Sequence, residues 1–539
     1  MSGKQKQLFK TKIVPGKPGT GNLFEEEYVV DDGPVECMGM IFENDEKRRE
    51  YFLEKLREKL KDPKFRKIEG FPIGEDEDIL ALSDPPNYTT CPNPFIEDFI
   101  NHYGKPYDPE TDDYRREPFA SDTGSGKTHP IYTAHSYHSK ISHLATVPCI
   151  LHYTDSGDIV LDGFSGSGMT GVAAQLCGEP ESNFRAKLEQ KWKDAGYAAP
   201  KWGVRRPILI DLSPVANFIA YNLNLDVSAR DFKKAAEDFF KKIDAEIGWM
   251  YKTLHSDGKR KGRINYVVWS EVFTCPNCAG DVVFMDQAYN PETGKFANEF
   301  SCPNCRSTLT TRSCEHKFTI QFDKAIGETV RKVTYVPVEI EYILPGDKTR
   351  WRKKPDEHDL ALMNKLADSI PVDRFPSQAI PKDIYHYSRF APKGVTHFHH
   401  LHIPRALHAL SIMWRIAGEW PDVRMRGFVK FMVEQVFWTF SMLNRYRPTG
   451  YSMTNQFLTG VYYVPVAISE LSPWNVLQEA IGAAGFVVAD VRMMERGSGS
   501  YRQVTAGTAV KADVIISTYK PNGGPEERFK LTAGTERYK

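Results

Sequence analysis

Two groups of residues have the types and spacing for chemistry. Cys275-x2-Cys278 and Cys302-x2-Cys305, with 23 residues between them, form two short pairs. Each pair can aim two thiolates at one tetrahedral ion, and zinc is the default. Four thiolates close the coordination sphere, so the spacing predicts a structural ribbon rather than a site that activates water. Cys314 and His316 lie nearby, but the set of four is complete without them. The second group is Leu161-Asp162-Gly163-Phe164-Ser165-Gly166-Ser167-Gly168-Met169-Thr170. Gly166 and Gly168 let the backbone turn sharply and approach a ligand, and a helix starting at Met169 directs its first N–H groups at that ligand. A nucleotide-like cofactor suits such a loop. Asp211 stands at the end of the next strand, where a doubly wound fold puts a carboxylate that accepts hydrogen bonds from ribose hydroxyls.

The elements that must position these residues are legible around them. Ile159-Val160-Leu161 reads as a short strand, and Met169 to Ala174 as the start of a small-residue helix. Pro207-Ile208-Leu209-Ile210 reads as a second strand, followed by a helix with Ser213 at its cap and Pro214 in its first turn. Two strand–helix units in succession imply a parallel sheet. Upstream, Asn44–Lys61 is so charged that it reads as a solvated surface helix without chemistry, and Leu80 to Gly126 as loops and short helices. Downstream, residues 316–390 carry strand-like alternation such as Val333 to Ile340, and 402–447 read as apolar helix ending in Arg445-Tyr446-Arg447. The last residues return to α/β text: a helix Trp474–Ala484 with Gly485 as its C-cap, then strands Phe486–Val491 and Val514–Tyr519 as an edge hairpin.

A chain of 539 residues is too long for one core and implies two to four units of roughly 100–200 residues each. Lys plus Arg and Asp plus Glu both total 70, so a nucleic-acid surface must be a local patch. No signal-peptide pattern opens the sequence, and no run of about 18 apolar residues appears, which reads as a soluble, cytoplasmic protein without a membrane partner. Nine cysteines with two metal-spaced pairs suit a reducing compartment.

Asp162-Gly163-Phe164-Ser165-Gly166-Ser167-Gly168-Met169-Thr170 resembles the cofactor motif Asp-Pro-Phe-x-Gly-Ser-Gly-Thr-Thr of the DNA amino-methyltransferases. The upstream text His135-Ser136-Tyr137-His138-Ser139-Lys140, then Ile150-Leu151-His152-Tyr153, is similar to the segment that covers the methionine end of S-adenosylmethionine in that family. The nearest likeness is to large bacterial DNA methylases interrupted by a zinc ribbon, over roughly residues 80–539. The resemblance implies S-adenosylmethionine bound by Asp162, Gly163, Phe164, Gly166, Gly168, Thr170, Asp211, His138 and Lys140. It also implies methylation of adenine N6 or cytosine N4 in double-stranded DNA, of restriction-modification or defence type, with defence-system proteins as further partners. A second glycine-rich run, Thr123-Gly124-Ser125-Gly126-Lys127-Thr128, resembles a phosphate loop, but Asp112-Asp113-Tyr114-Arg115-Arg116-Glu117-Pro118 before it is no strand, and a plain loop is the better reading.

An exocyclic amino nitrogen is a poor nucleophile because its lone pair is delocalised into the ring. The family answers with an Asp/Asn/Ser-Pro-Pro-aromatic turn, in which the side chain and a backbone carbonyl accept the two amino hydrogens and the aromatic ring stacks on the flipped base. Asp84-Pro85-Pro86 is the only Asp-Pro-Pro of the sequence, with Asn87 where the aromatic residue belongs and Tyr88 one position late. Asp84, Pro85, Pro86 and Tyr88 are therefore the catalytic candidates, in the order that permuted family members use. Relatives resembling the rest of the chain carry a second Asp-Pro-Pro-aromatic section before the terminal helix. Here Glu470-Leu471-Ser472-Pro473-Trp474 runs directly into that helix, which implies a sheet lacking its fourth and fifth strands. The alternative is a shortened, catalytically silent relative that binds cofactor and recognises DNA.

The expected organisation is a polar region at 1–79, a Rossmann-like doubly wound α/β methyltransferase core at 80–264 and a zinc ribbon at 265–315. An α+β and helical insertion for DNA recognition at 316–470 and a sheet-completing helix and hairpin at 471–539 follow. The basic runs Lys259 to Arg263 and Arg350 to Lys354 flank the ribbon and suit either nucleic acid or solvated loops.

Overall fold

The computed structural model describes residues 9–15, 24–30, 33–454 and 464–474, apart from 69–70, 73, 123, 138–139, 226, 228, 372–374, 385–386 and 449–450. The described residues divide into two compact units, one up to Ser228 and one from Ala229 on.

In the first unit β1 (Phe9–Pro15) pairs antiparallel with β2 (Phe24–Val30), and β3 (Val35–Cys37) with β4 (Met40–Phe42). Helix α1 (Asp45–Leu60) starts at Asn44, whose side chain accepts from the Lys47 N–H, and has acids in its first turn and bases in its last, as the helix dipole favours. It is not merely a solvated helix. Arg48, Phe52, Leu56 and Leu60 recur every four residues along one buried stripe. Phe52, Leu56 and Leu60 pack with Phe65, with Ile79 and Leu80 of α2 (Asp76–Leu82), and with Cys91 and Phe95 just before α3 (Ile96–Tyr103). This core crosses residue 79, so the polar N-terminal text and the segment after it fold together.

A single turn α4 (Pro130–Thr133) is followed by α5 (His143–Tyr153), β5 (Ile159–Asp162), α6 (Met169–Leu176), α7 (Ser182–Asp194), β6 (Arg206–Leu209) and α8 (Pro214–Asn224). Strands β5 and β6 pair parallel, from Ile159 opposite Arg206 to Asp162 opposite Leu209. Val160 packs into a core with Val147, Ile150, Leu151, Ala173 and Leu188. Leu161 points to the other face and is 66 % exposed. Among the described residues no third strand joins this pair. Residues 475–539, which hold the expected hairpin, lie outside the described residues.

The second unit opens with α9 (Ala229–Ile247) and is built on β8 (Lys261–Thr274), preceded by the short β7 (Lys252–Leu254). Between Cys275 and Cys314 come β9 (Asp281–Val283), α10 (Phe284–Ala288) and the two-residue strands β10 (Tyr289–Asn290), β11 (Lys295–Phe296), β12 (Phe300–Ser301) and β13 (Thr308–Leu309). Strand β14 (Glu315–His316) then returns beside the end of β8. A hairpin of β15 (Phe318–Asp323) and β16 (Glu328–Val333) leads to β17 (Tyr335–Ile343) and β18 (Trp351–Lys353). Helices α11 (Glu357–Asp368), α12 (Tyr387–Phe390), α13 (Pro404–Gly418) and α14 (Val423–Glu434) follow, then β19 (Asn444–Arg447), β20 (Tyr451–Thr454) and β21 (Ala467–Leu471). The antiparallel sheet runs β18-β17-β8-β21-β19-β20, with β7, β9 and β14 also paired to β8. Arg445-Tyr446-Arg447, expected at a helix end, sits in β19. Asn444 and Tyr446 are buried and Arg445 exposed, a period of two, and the Asn444 side chain donates to Ser469 O at 2.8 Å.

One buried ion pair fixes α13 to the middle of this sheet. Arg405 Nε and Nη2 each donate to Glu470 at 2.6 Å, Trp269 Nε1 donates to the same carboxylate at 2.8 Å, and the guanidinium lies over the Tyr251 ring. Removing one partner leaves the other as an uncompensated buried charge. Arg405→Leu should therefore cost about 3–5 kcal/mol, seen as a lower urea midpoint, and adding Glu470→Leu should recover much of the loss. An unchanged midpoint for the single variant would contradict this.

Candidate functional site

The glycine-rich loop follows β5 directly, and two carboxylates hold its shape. Asp162 accepts from the Phe164 N–H at 3.1 Å and from the Thr170 hydroxyl at 2.6 Å. Asp211, just past β6, accepts from the Gly166 N–H and the Ser213 N–H, both at 2.9 Å. Gly166 and Gly168 take the positive φ values of 51° and 75°. At Gly168 a Cβ would stand 2.6 Å from the Ala220 Cβ on α8, so only glycine lets loop and helix meet. Gly163 faces open space.

What the loop leaves open fits a nucleoside-like ligand. The hydroxyls of Ser165 and Ser167 are buried without a partner among the described residues, and such groups call for a ligand or water. Phe164 is 95 % exposed, and Leu212 and Val215 beside the same strand ends are also exposed. Apolar surface flanking orphan hydroxyls at the start of α6 suits a flat base joined to a polar sugar.

Of the cover segment, His138 lies outside the described residues. Lys140 is held in place by the carbonyls of Tyr132 and His135, to which its ammonium donates, and burial pushes its pKa down to about 8. His135 is buried. Gly126 of the second glycine-rich run packs against the Ser142 cap of α5, and no strand among the described residues leads into that turn.

Asp84 is buried, and its turn closes on itself through paired backbone bonds with Tyr88. Both carboxylate oxygens have donors: Arg48 Nη2 at 3.0 Å on Oδ1, and the Tyr221 hydroxyl of α8 at 3.1 Å on Oδ2. Arg48 Nη1 also donates to Pro85 O at 2.6 Å. One guanidinium thus satisfies the Asp84 side chain and the next backbone carbonyl together. Burial opposes the Arg48 charge, but Asp84 and Asp45 outweigh it and hold the group protonated. Arg49 Nε stands 3.7 Å from the same oxygen of Asp84. Tyr88 stacks on Tyr221 with centroids 4.3 Å apart, and burial raises its pKa. Pro86 O accepts from the Asn93 side chain at 2.8 Å. Helix α8 therefore touches both the glycine loop, through Ala220, and the Asp84 turn, through Tyr221. No sequence motif marks Arg48, Arg49 or Tyr221 as neighbours of Asp84. The only signal for Arg48 was its place in the every-fourth-residue stripe of α1.

The four cysteines converge. Cys275 Sγ lies 3.7 Å from Cys305 Sγ, and Cys278 Sγ 3.7 Å from Cys302 Sγ. Thiolates around one zinc at about 2.3 Å stand about 3.8 Å apart, so the donor set fits. Both knuckles turn alike, with Ala279 and Arg306 at positive φ and the Ala279 and Arg306 amides donating to the carbonyls of Cys275 and Cys302. Cys314 and His316 are not in the cluster, and His316 bonds Glu271 instead. The two basic runs lie at one end of the sheet, since Arg263 of β8 and Trp351 of β18 flank neighbouring residues of β17. Many of their cations are paired within the unit, Arg260 with Asp257, Arg352 with Glu341 and Lys354 with Asp286.

Residues 40–180 match the family model described as DNA methylase, of the N6/N4 methyltransferase group. Over that stretch the chain is similar to the DNA methylase family. The match takes in α1, the Asp84 turn and the glycine loop, and DNA methylases transfer their methyl group from S-adenosylmethionine. Neither a curated protein nor a solved structure matches the chain. Among the described residues no helix is long and apolar enough to cross a membrane.

His143, in the first turn of α5, gives the first unit a built-in acid sensitivity. It is fully buried with neither ring nitrogen partnered among the described residues, and burial, with the nearby His129 and Lys140, lowers its pKa from 6.5 to about 3. Between those values the unfolded chain binds a proton that the folded one refuses, so stability falls as pH drops from 6.5 towards 3. His143→Leu should flatten this fall by on the order of a few kcal/mol, measured as urea midpoints from pH 4 to 7. An equal slope in both proteins would contradict it.

Proposed function

We propose that this chain is an S-adenosylmethionine-dependent DNA methyltransferase of the restriction-modification or defence type. Its acceptor is the exocyclic amino group of adenine (N6) or cytosine (N4) in duplex DNA. The observation that carries the reading is the loop at 162–170, with its orphan serine hydroxyls and the two carboxylates that hold it open. Asp162, Gly163, Phe164, Gly166, Gly168, Thr170 and Asp211 hold the cofactor, with Lys140 and His138 covering its amino-acid end. The cofactor supplies the methyl group; the chain's own residues orient it, exclude water and fix the base. A Rossmann-like doubly wound sheet, closed by residues 471–539, is the frame this reading requires. Four thiolates at Cys275, Cys278, Cys302 and Cys305 hold a structural zinc, and the basic end of the second unit's sheet meets the DNA backbone.

In this reading Asp84 and the Pro85 carbonyl are the two acceptors for the amino hydrogens of the target base, and Tyr88 lines the same turn. Arg48 holds both acceptors in the absence of DNA, and its two N–H groups stand in for those of the base. That observation equally favours a second reading, a cofactor-binding DNA-recognition protein in which the buried Arg48–Asp84 pair is permanent and no methyl group is transferred.

Methyl transfer from labelled cofactor to duplex DNA, followed by digestion to identify the base, separates the two. The first reading expects N6-methyladenine or N4-methylcytosine from the unmodified chain, lost in Asp84→Ala. The second expects no product from the unmodified chain or Arg48→Met, with cofactor binding intact in both. Either reading expects Asp211→Ala to weaken cofactor binding by roughly 1.5–3 kcal/mol, because the loop loses a charged acceptor. Unchanged affinity in calorimetry would remove Asp211 from the site.

A further inference from the structure

The second unit carries a cluster that the methylase reading does not use. Asp323, the last residue of β15, receives two neighbouring imidazoles on one oxygen: His399 Nε2 stands 2.9 Å and His400 Nε2 2.7 Å from Oδ2. Both histidines lie in the 3-10 turn Phe398–Leu401 that leads into α13. All three side chains are nearly buried, at 9 %, 6 % and 0 % exposure. The three donor atoms lie within 4.8 Å of one another.

We propose that Asp323, His399 and His400 form a second metal site, independent of the cysteine ribbon, for a first-row divalent transition ion with zinc foremost. Two imidazole nitrogens and one carboxylate oxygen are the borderline donors such ions select. Ligands of a tetrahedral zinc at about 2.0–2.1 Å sit about 3.3 Å apart, so opening the cluster by a few tenths of an ångström admits the ion. Buried imidazole favours its neutral form, which has a lone pair to give. A metal-bound tautomer needs a proton on the opposite ring nitrogen: His400 Nδ1 lies 3.4 Å from the Thr396 hydroxyl, which can accept it, but here Nδ1 takes the Thr396 N–H at 3.3 Å, a bond the metal-bound ring must give up. His399 Nδ1 is buried without a partner among the described residues, so hydrogen bonding to Asp323 alone leaves that ring incomplete. Three protein ligands leave the fourth position to water. The ion pins the β15–β16 hairpin to the start of α13, a structural task, because no macromolecular substrate reaches side chains so enclosed.

One feature opposes the ion and sharpens the test. Lys332 Nζ stands 3.6 Å from the shared oxygen, a cation that an incoming ion must face. Lys332→Met should therefore tighten metal binding several-fold, whereas in a cluster of hydrogen bonds alone it would leave metal content unchanged.

The experiment is the metal content of the full chain after loading with zinc or cobalt(II) and removal of the excess. The expected result is two equivalents. Cys278→Ser with Cys305→Ser should remove one, together with the thiolate-to-cobalt charge-transfer band. Asp323→Asn and His400→Gln should each remove the other and leave that band in place. A single equivalent in the unmodified chain, also under excess manganese or iron(II), would overturn the site. So would a second equivalent that survives both Asp323→Asn and His400→Gln. If Asp323→Asn does not fold, the stoichiometry of the unmodified chain and of His400→Gln and Lys332→Met decides.

Discussion

The candidate site depends on two carboxylates at the ends of adjacent parallel strands. Asp162 and Asp211 accept the backbone N–H groups of Phe164 and Gly166 in the loop that joins β5 to α6. Their spacing is the spacing of the strands, so the loop is only as fixed as the β5–β6 pairing beneath it. Gly168 then lets the loop press on Ala220 of α8, and the next residue of that helix, Tyr221, donates to Asp84. Strand pairing, loop, helix and Asp-Pro-Pro turn thus form one contiguous set of contacts, and a shift in α8 reaches both the glycine loop and the turn.

Arg48 introduces the tension in that arrangement. A guanidinium buried beside one carboxylate is stable only while its nitrogens find acceptors, and here Asp84, Pro85 and Asp45 give one to each of the three. A base entering the turn must offer the same two donors and leave Arg48 with somewhere to go. Asp45, which already bonds Arg48 Nε and is partly exposed, marks the direction in which the side chain could keep one partner. Whether the turn is a working acceptor pair or a permanent clamp is therefore a question about the mobility of one side chain on α1.

Legibility followed the range of the interactions. The strand–loop–helix around Asp162, the Ser213 cap with Pro214 and the cysteine knuckles rest on contacts within a few residues, and each stood in the text. The burial of α1 did not, because charge count hid a stripe that repeats every four residues. Arg445 to Arg447 read as helix because apolar text precedes them, whereas pairing with β20 and β21, distant in sequence, makes them strand. The partners of Asp84 come from helices 36 and 137 residues away, and the Asp323 cluster joins residues 76 and 77 apart. No local pattern announces such pairs. The parallel order beyond β5 and β6 rests on text outside the described residues.

The proposed function places S-adenosylmethionine on the loop between Asp162 and Thr170. Ultraviolet crosslinking of labelled S-adenosylmethionine to the full chain, with peptide mapping, tests it most directly. The account predicts label on the peptides that carry Phe164 or the residues around Asp211, displaced by excess unlabelled cofactor. Label confined to another region, such as the turn at 124–128, or no displaceable label at all, would contradict it.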